Sequence, residues 1–171
     1  MSDTPRPAAF LDRDGVLNID LGYVHRTEDL TWIEGAPAAI KRLNDAGYWV
    51  IVVTNQSGIG RGYYDEAAMD AVHDALRGHV AAAGARIDAI YACPFHPEAA
   101  LEHFRHPDHP DRKPNPGLLL RAMQDFAVDK ARSFMIGDKD SDMQAASRAG
   151  VAGHLFEGGD LDAFVKRVLG A

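Results

Sequence analysis

Two acidic residues, Asp12 and Asp14, follow the first apolar segment of the chain and could carry catalytic or metal-binding chemistry. The segment Ala8–Leu11 has the short apolar pattern of a buried strand, and Gly15 directly follows the second acid. We expect Asp12 to end the strand and Asp14 to lie in the turn, with both carboxylates facing one crevice. Carboxylates this close repel each other unless a cation neutralises them, and oxygen ligands without a nearby thiol suit Mg²⁺. An Asp-rich turn without chemistry is the alternative interpretation.

Three more groups of polar residues stand after predicted strands or before a predicted helix. They are Thr54 and Asn55 after segment 48–53, Arg112 and Lys113 before a predicted helix, and Asp138 with Asp142 after segment 133–136. Taken alone, each has a plainer interpretation: a strand-end turn, a solvated pair in a loop, and helix capping, with Asp140 or Ser141 as the cap. Because the carboxyl ends of parallel strands meet at one edge of a sheet, their order predicts one shared site.

Strand patterns and amphipathic helix patterns alternate along the chain, which predicts a doubly wound parallel sheet of the α/β class. The predicted strands are 8–11, 48–53, 87–93, 133–136 and 151–156. The predicted helices are 35–46, 65–83, 116–126, the segment from the second acidic group to 149, and 161–169. Gly58, Gly60 and Gly62 predict a tight loop after the second strand.

Length and composition indicate one ordinary globular domain over residues 1–171, with 46% hydrophobic and 25% charged residues. The net charge of −7 argues against a nucleic-acid partner, which needs a basic surface. The single cysteine, Cys93, permits no intrachain disulfide. Neither a signal peptide nor an apolar run of membrane-spanning length is evident, so we expect a cytoplasmic protein without a membrane partner. No long apolar stripe stands out, and we expect a monomer.

The motifs resemble those of the haloacid dehalogenase-like (HAD-like) phosphatase superfamily over nearly the whole chain. The matching motifs are Asp12-Arg13-Asp14-Gly15, Thr54, Lys113 and the segment GDKDSD at 137–142. LDRDGVLNID, TNQSGIGRGY, RKPNPG and IGDKDSD are similar to the histidinol-phosphate and heptose-bisphosphate phosphatase branch, and the long loop containing GYV most resembles its heptose-bisphosphate members. The resemblance implies a Rossmann-like fold without a large cap domain.

The implied chemistry is Mg²⁺-dependent hydrolysis of a phosphomonoester. Asp12 ends the rigid strand and is the better nucleophile, forming an aspartyl-phosphate, while Asp14 donates and later accepts a proton. The resemblance implies that Asp12, Asp138 and the backbone carbonyl of Asp14 bind the Mg²⁺, with Asp142 orienting these ligands. Thr54, Asn55 and Lys113 would hold the phosphoryl oxygens. Arg112 would reach a substrate hydroxyl or a second phosphate.

The implied substrate is a small phosphorylated sugar, D-glycero-D-manno-heptose 1,7-bisphosphate, which would lose its 7-phosphate. L-Histidinol phosphate is an alternative substrate for the same chemistry. DNA 3′-phosphatase domains share a similar TNQ segment, but the acidic charge of this chain argues against that activity. A catalytically inactive binding domain is a further alternative, which the intact set of acids disfavours.

Segment 94–116 is rich in His and Pro, and we expect it to form a loop that walls the substrate site. Many members of the branch bind a structural Zn²⁺ here through Cys-x-His and Cys-x-Cys. The matching positions in this chain are Cys93, Phe95, His109 and Asp111. Because Phe95 cannot bind a metal and a closed zinc site needs four ligands, we expect no structural zinc. A site improvised from Cys93 and the histidines of the loop is the alternative.

Overall fold

The apolar segment that follows the first residues forms the central strand of a five-stranded parallel sheet, in a computed structural model that describes residues 4–170. This strand, β1 (Ala8–Leu11), is completely buried and lies between two other strands. The remaining strands are β2 (Trp49–Asn55), β3 (Ala89–Cys93), β4 (Phe134–Gly137) and β5 (Ala152–Leu155), and the order across the sheet is β3-β2-β1-β4-β5. In the register of the sheet, Phe10 is paired with Ile51 on one side and Met135 on the other.

Helices cover both faces of the sheet, which explains why its central strands are apolar along their whole length. The helices are α1 (Ala36–Asp45), α2 (Ser57–Gly60), α3 (Glu66–Ala82), α4 (Gly117–Asp125), α5 (Asp140–Ala149) and α6 (Leu161–Val168). Ala9 and Leu11 belong to a core with residues of α1, α3 and α6, whereas Ala8 and Phe10 belong to a second core with α4 and α5. The predicted doubly wound α/β sheet is therefore confirmed.

The glycine-rich segment after β2 differs from the prediction, since it contains the helical turn α2 where a loop is expected. At Gly58 and Gly60, neighbouring groups lie so close to the backbone that a side chain would not fit. A Cβ atom on Gly58 would collide with the ring of Tyr64, and one on Gly60 would lie 2.6 Å from the carbonyl oxygen of Pro94. These glycines therefore allow the chain after β2 to pack directly against its neighbours.

The N-terminus of α5 also differs from the prediction. Lys139 occupies the N-cap position that the sequence assigns to Asp140 or Ser141. The side chain of Asp142 accepts a hydrogen bond from the Lys139 backbone nitrogen at 3.2 Å, as the third helical residue does in a capping box.

Segment 94–116 links β3 to α4 with little regular structure. It contains a short 3-10 turn at Glu102–Phe104 and an isolated bridge between His96 and Arg105. Within residues 4–170, no helix combines the length and the apolar character that crossing a bilayer requires.

Candidate active site

The predicted site residues meet at the carboxyl edge of the sheet. Asp12 follows β1, Thr54 and Asn55 end β2, and Asp138 follows β4. Because β1 lies between β2 and β4, these three strand ends are adjacent. Lys113 reaches the same point from the segment before α4, which accounts for the single site that the sequence predicts.

Lys113 forms a buried ion triad with Asp12 and Asp142. Its ammonium nitrogen lies 2.8 Å from Asp12 Oδ1 and 2.7 Å from Asp142 Oδ1. It also donates a hydrogen bond to the carbonyl oxygen of Val53 at 3.0 Å. All three donors of the ammonium group are thus used, which offsets the cost of removing the charge from water.

Burial and neighbouring charges compete in setting the pKa values of Asp12 and Lys113. Burial raises the pKa of Asp12 to about 7; Lys113 opposes the rise, and Asp142 and Asp138 add to it. For Lys113, burial acts to lower the pKa, but Asp12 and Asp142 outweigh burial and raise it above its usual value. The carboxylates thus exceed the ammonium groups at this point, as expected of a site that also accommodates a cation.

Three carboxylates offer a site for a hard divalent cation. Oxygen atoms of Asp12, Asp138 and Asp142 all lie within 4.8 Å of one another. In the part of the chain that the structure describes, buried Asp138 Oδ1 has no hydrogen-bond partner. Gly15 has a φ of 88°, and a Cβ atom there would collide with the Asp138 carboxylate. An unpaired buried oxygen beside two further carboxylates fits Mg²⁺, which prefers oxygen ligands.

The side chain of Asp14 is held away from this carboxylate group. Its Oδ1 accepts hydrogen bonds from Arg13 Nη2 at 2.9 Å and from Asn18 Nδ2 at 3.0 Å. Its Oδ2 accepts one from Gln56 Nε2 at 3.2 Å. The side chain therefore lies beside the candidate cation site without being one of its three clustered carboxylates.

Thr54 and Asn55 are both at the site but differ in their hydrogen bonds. The buried hydroxyl of Thr54 accepts from Gln56 Nε2 at 2.9 Å. Asn55 exchanges two hydrogen bonds with the backbone of Lys113, donating at 3.2 Å and accepting at 3.0 Å. Asn55 therefore fixes the segment that carries the lysine, a function that the sequence does not predict.

Two adjoining cavities lead from the triad to the surface. The inner cavity, about 50 Å³, is lined by residues that include Asp12, Lys113 and Ser141. The outer cavity, about 250 Å³, is lined by residues that include Tyr64 and Arg112. Asp14, Asn55 and Lys139 line both. A larger hollow of about 1030 Å³ lies between α1 and α6 and is lined by other residues.

Sequence reasoning missed three residues that the structure brings to these cavities. Gln56 contacts both Asp14 and Thr54, Tyr64 contacts Gln56, and Lys139 lines both cavities. Gln56 and Lys139 lie inside the motifs TNQ and GDKDSD, so their positions were a usable signal. Tyr64 carries no such signal, because its contact depends on how α2 folds back.

Known proteins resemble this chain over most of its length. A family model described as HAD-hydrolase-like matches residues 111–163, which include Lys113, Asp138 and Asp142. D-glycero-β-D-manno-heptose-1,7-bisphosphate 7-phosphatase from Rhodopseudomonas palustris is 48% identical over 165 residues, which span 96% of this chain and 91% of that protein. This chain belongs to the heptose-bisphosphate phosphatase family of HAD-like hydrolases.

Relatives in the heptose-bisphosphate phosphatase family include proteins named for each anomer of the sugar. D-glycero-α-D-manno-heptose-1,7-bisphosphate 7-phosphatase from Burkholderia mallei is 46% identical over 84% of this chain and 76% of its own. A crystal structure of D,D-heptose 1,7-bisphosphate phosphatase from B. bronchiseptica, complexed with magnesium and phosphate, superimposes with a TM-score of 0.82. The two sequences are 33% identical, and the superposition covers 96% of this chain and 98% of that structure. The predicted family and fold are confirmed.

Proposed function

We propose that this protein is a Mg²⁺-dependent phosphatase that removes the 7-phosphate of D-glycero-D-manno-heptose 1,7-bisphosphate. The observation that carries the proposal is the buried Asp12 carboxylate, 2.8 Å from Lys113 Nζ and beside the unpaired Asp138. The names of relatives up to 48% identical supply the substrate. This arrangement supplies a nucleophile, a cationic group for phosphoryl oxygens and a cation site at one edge of the sheet.

Asp12 and Asp14 divide the covalent and proton-transfer steps. A carboxylate oxygen of Asp12 forms a bond to phosphorus as the bond from phosphorus to the sugar oxygen breaks. Asp14 donates a proton to that leaving oxygen. Asp14 then removes a proton from a water molecule whose oxygen attacks the phosphorus, and the cleavage of the aspartyl-phosphate releases inorganic phosphate and restores the Asp12 carboxylate.

Three groups would hold the Mg²⁺: the carboxylates of Asp12 and Asp138 and the backbone carbonyl oxygen of Asp14. When bound, the ion would offset the repulsion between the Asp12 carboxylate and the anionic phosphate. Asp142 accepts hydrogen bonds from Lys113 Nζ and the Lys139 backbone nitrogen, so its role is to orient the lysine and the carboxylates around the ion.

The phosphoryl oxygens would face hydrogen-bond donors from the end of β2 and from the segment before α4. Thr54 and Asn55 supply a hydroxyl and an amide from β2, and Lys113 supplies an ammonium group. These groups are buried or half-buried, so they stabilise the charge of the transition state more strongly than they would in water.

The outer cavity binds the sugar and its remaining phosphate. Arg112 lines this cavity, and in the described chain its buried Nε has no hydrogen-bond partner. A guanidinium group with an unused donor suits the second phosphate or a sugar hydroxyl. We further infer that the enzyme acts in cytoplasmic carbohydrate metabolism, where a phosphorylated sugar of this kind would be available.

The test is phosphate release in the presence of Mg²⁺ from both anomers of the heptose bisphosphate and from L-histidinol phosphate. We expect a clear preference in kcat/KM for a heptose bisphosphate and loss of activity after removal of Mg²⁺. The variant Asp12→Asn should lose at least about a thousand-fold in kcat because it removes the nucleophile.

A preference for histidinol phosphate would contradict the proposed substrate but leave the chemistry intact. Undiminished turnover by Asp12→Asn would contradict the chemistry itself. A matched control is Asp74→Asn, since Asp74 is exposed on α3 and lines neither cavity. This variant should keep kcat within about threefold, because it is remote from the reacting phosphate.

A further inference from the structure

Gln56 connects two residues of the proposed reaction through a single amide group. The side chain is 3% exposed. Its Nε2 donates to Asp14 Oδ2 at 3.2 Å and to Thr54 Oγ1 at 2.9 Å. Its Oε1 accepts a hydrogen bond from the phenol of Tyr64. Both polar atoms of the amide are therefore satisfied, and every partner lies at or beside the outer cavity.

The chemistry of the partners fixes the orientation of this amide. Asp14 Oδ2 accepts a hydrogen bond in this structure, so Gln56 presents its NH₂ group to that side. Tyr64 donates on the other side, and burial raises the pKa of its phenol to about 12, which keeps the proton in place. With the amide reversed, Oε1 would face the carboxylate, and two acceptors would be in contact.

Neighbouring residues hold Asp14 Oδ1 and the ring of Tyr64 in place. Asp14 Oδ1 is bound by Arg13 and Asn18, and within residues 4–170 Gln56 alone donates a hydrogen bond to Oδ2. The ring of Tyr64 lies against the backbone of Gly58 and stacks on His25, with ring centres 4.9 Å apart and planes 1° apart. The donor to Gln56 is therefore held in position before any substrate binds.

We propose that Gln56, oriented by Tyr64, is a positioning residue that aims Asp14 Oδ2 at the leaving oxygen of the substrate. The same amide holds the Thr54 hydroxyl at the phosphoryl group. The inference rests on the proposed function, in which Asp14 protonates that oxygen. It adds two residues to the reaction whose side chains are not themselves nucleophile, acid or cation ligand.

The test compares a leaving group that needs protonation with one that does not. The heptose bisphosphate releases a sugar alkoxide, whereas p-nitrophenyl phosphate releases a stable phenolate without help from an acid. The variants are Gln56→Met, which removes the amide at similar size, and Tyr64→Phe, which removes one hydroxyl. The quantity to measure is kcat/KM, because it reports the steps up to the departure of the leaving group.

General acid catalysis contributes about 10²–10⁴-fold, and the variants misalign the acid without removing it. We therefore expect Gln56→Met to lower kcat/KM about 30-fold or more for the heptose bisphosphate and about threefold for p-nitrophenyl phosphate. Tyr64→Phe should lower kcat/KM about tenfold for the heptose bisphosphate and less than threefold for p-nitrophenyl phosphate. Tyr63→Phe is the matched control, since Tyr63 is 55% exposed and outside both cavities, and it should change neither value.

Equal losses for the two substrates, or no loss, would overturn the positioning role of Gln56. A merely structural effect of the substitution would lower both values together. Loss of sugar binding in the outer cavity, which Gln56 and Tyr64 line, would spare glycerol 2-phosphate, a small alkyl phosphate that also needs a protonated leaving group. We expect glycerol 2-phosphate to lose activity as the heptose bisphosphate does, and a loss no larger than that for p-nitrophenyl phosphate would overturn the positioning role. Tyr64→Phe provides the same ratio if Gln56→Met does not fold. A wild-type protein that releases phosphate from neither substrate would instead overturn the proposed function, and the two failures are therefore distinguishable.

Discussion

His73 shows how one buried side chain ties the stability of this protein to pH. It is 4% exposed, and its Nε2 lies 3.2 Å from Arg13 Nη1, so the ring is neutral and accepts a hydrogen bond from the guanidinium group. Burial lowers the pKa of His73 to about 4, and the charges of Arg13 and Arg77 act in the same direction. A neutral His73 therefore helps to hold Arg13, which in turn holds Asp14.

We predict that His73 lowers the stability of the wild-type protein as the pH falls from about 6.5 to about 4. In this range the unfolded chain binds a proton at His73 that the folded chain does not, so the free energy of unfolding rises with pH. The full effect is about 3 kcal/mol. The measurement is urea unfolding across this range for wild type and His73→Gln, whose amide can still accept from Arg13.

The variant comparison is essential because Asp12 works in the opposite direction. Its raised pKa means that the folded state binds the extra proton, which lowers stability as the pH rises toward 7. His73→Gln should remove only the part of the pH dependence of the unfolding free energy that comes from His73. The control His79→Gln, on the exposed side of the same helix, should retain the wild-type slope. Parallel curves for wild type and His73→Gln would contradict the prediction.

At the scale of elements, segment 94–116 is stabilised by aromatic and ionic contacts at the positions where many relatives are expected to bind zinc. Phe95 stacks on His109, with ring centres 3.8 Å apart, and packs edge-on against Phe104. His109 Nδ1 accepts from the Asp111 backbone at 3.0 Å, and the Asp111 carboxylate pairs with Arg121. These contacts occupy side chains that would otherwise be free to approach a metal.

Cys93 alone does not make a zinc site. Its thiol is buried, and burial raises its pKa to about 11. A closed zinc site needs four ligands. Among the residues that the structure describes, the only group of three or more candidate metal ligands is the carboxylate group at the active site.

We predict less than one Zn²⁺ per chain in purified protein, measured by elemental analysis after dialysis. With Mg²⁺ held in excess, we also expect a zinc-selective chelator to leave the unfolding midpoint unchanged. A stoichiometric zinc that survives dialysis would contradict the zinc prediction and favour the site improvised from Cys93 and nearby histidines.

Phe95→Ala should lower the free energy of unfolding by about 1–3 kcal/mol, because it removes two aromatic pairs.

At the scale of the whole molecule, the net acidic charge is compatible with a small phosphorylated substrate. The chain carries a net charge of −7, yet Arg112, Lys113 and Lys139 line the two cavities at the sheet edge. The carboxylates of Asp12, Asp14, Asp20 and Asp142 line the same cavities, so a small bisphosphate would be held by these three cationic side chains together with a bound Mg²⁺. An extended nucleic acid would also meet the surrounding acidic surface, which is why we expect no nucleic-acid partner.

The distribution of exposed apolar groups predicts a monomer. The edge strands β3 and β5 are short, which limits pairing between sheets. On helices and strands, the exposed large apolar side chains are Leu120 on α4 and Leu155 on β5, single residues on separate elements. Ile19, Leu21 and Tyr23 share one loop beside the outer cavity, where Tyr23 packs on Tyr63. Light scattering after gel filtration should therefore give a mass near 18.6 kDa across a range of concentrations. A concentration-dependent mass of about twice this value would contradict the prediction.

The sequence by itself determined the order of elements and the principal acids of the site. Apolar periodicity distinguishes strands from helices, and the alternation of the two leads to a parallel sheet whose carboxyl ends share an edge. Asp12, Thr54 and Asp138 each stand at the end of such a strand, so their meeting follows from the chain order. Their roles in the reaction remain predictions, supported by the family to which the chain belongs.

Only the tertiary structure decided how the side chains between these acids are oriented. The contacts of Lys113 with Asp12 and Asp142 span 101 and 29 residues, and that of Gln56 with Asp14 spans 42. Such contacts depend on the packing of loops and on directional hydrogen bonds, for which local sequence patterns contain no information. The sequence could therefore indicate which residues meet, whereas the fold decided that Gln56 presents its NH₂ group to Asp14 and that Tyr64 holds it there.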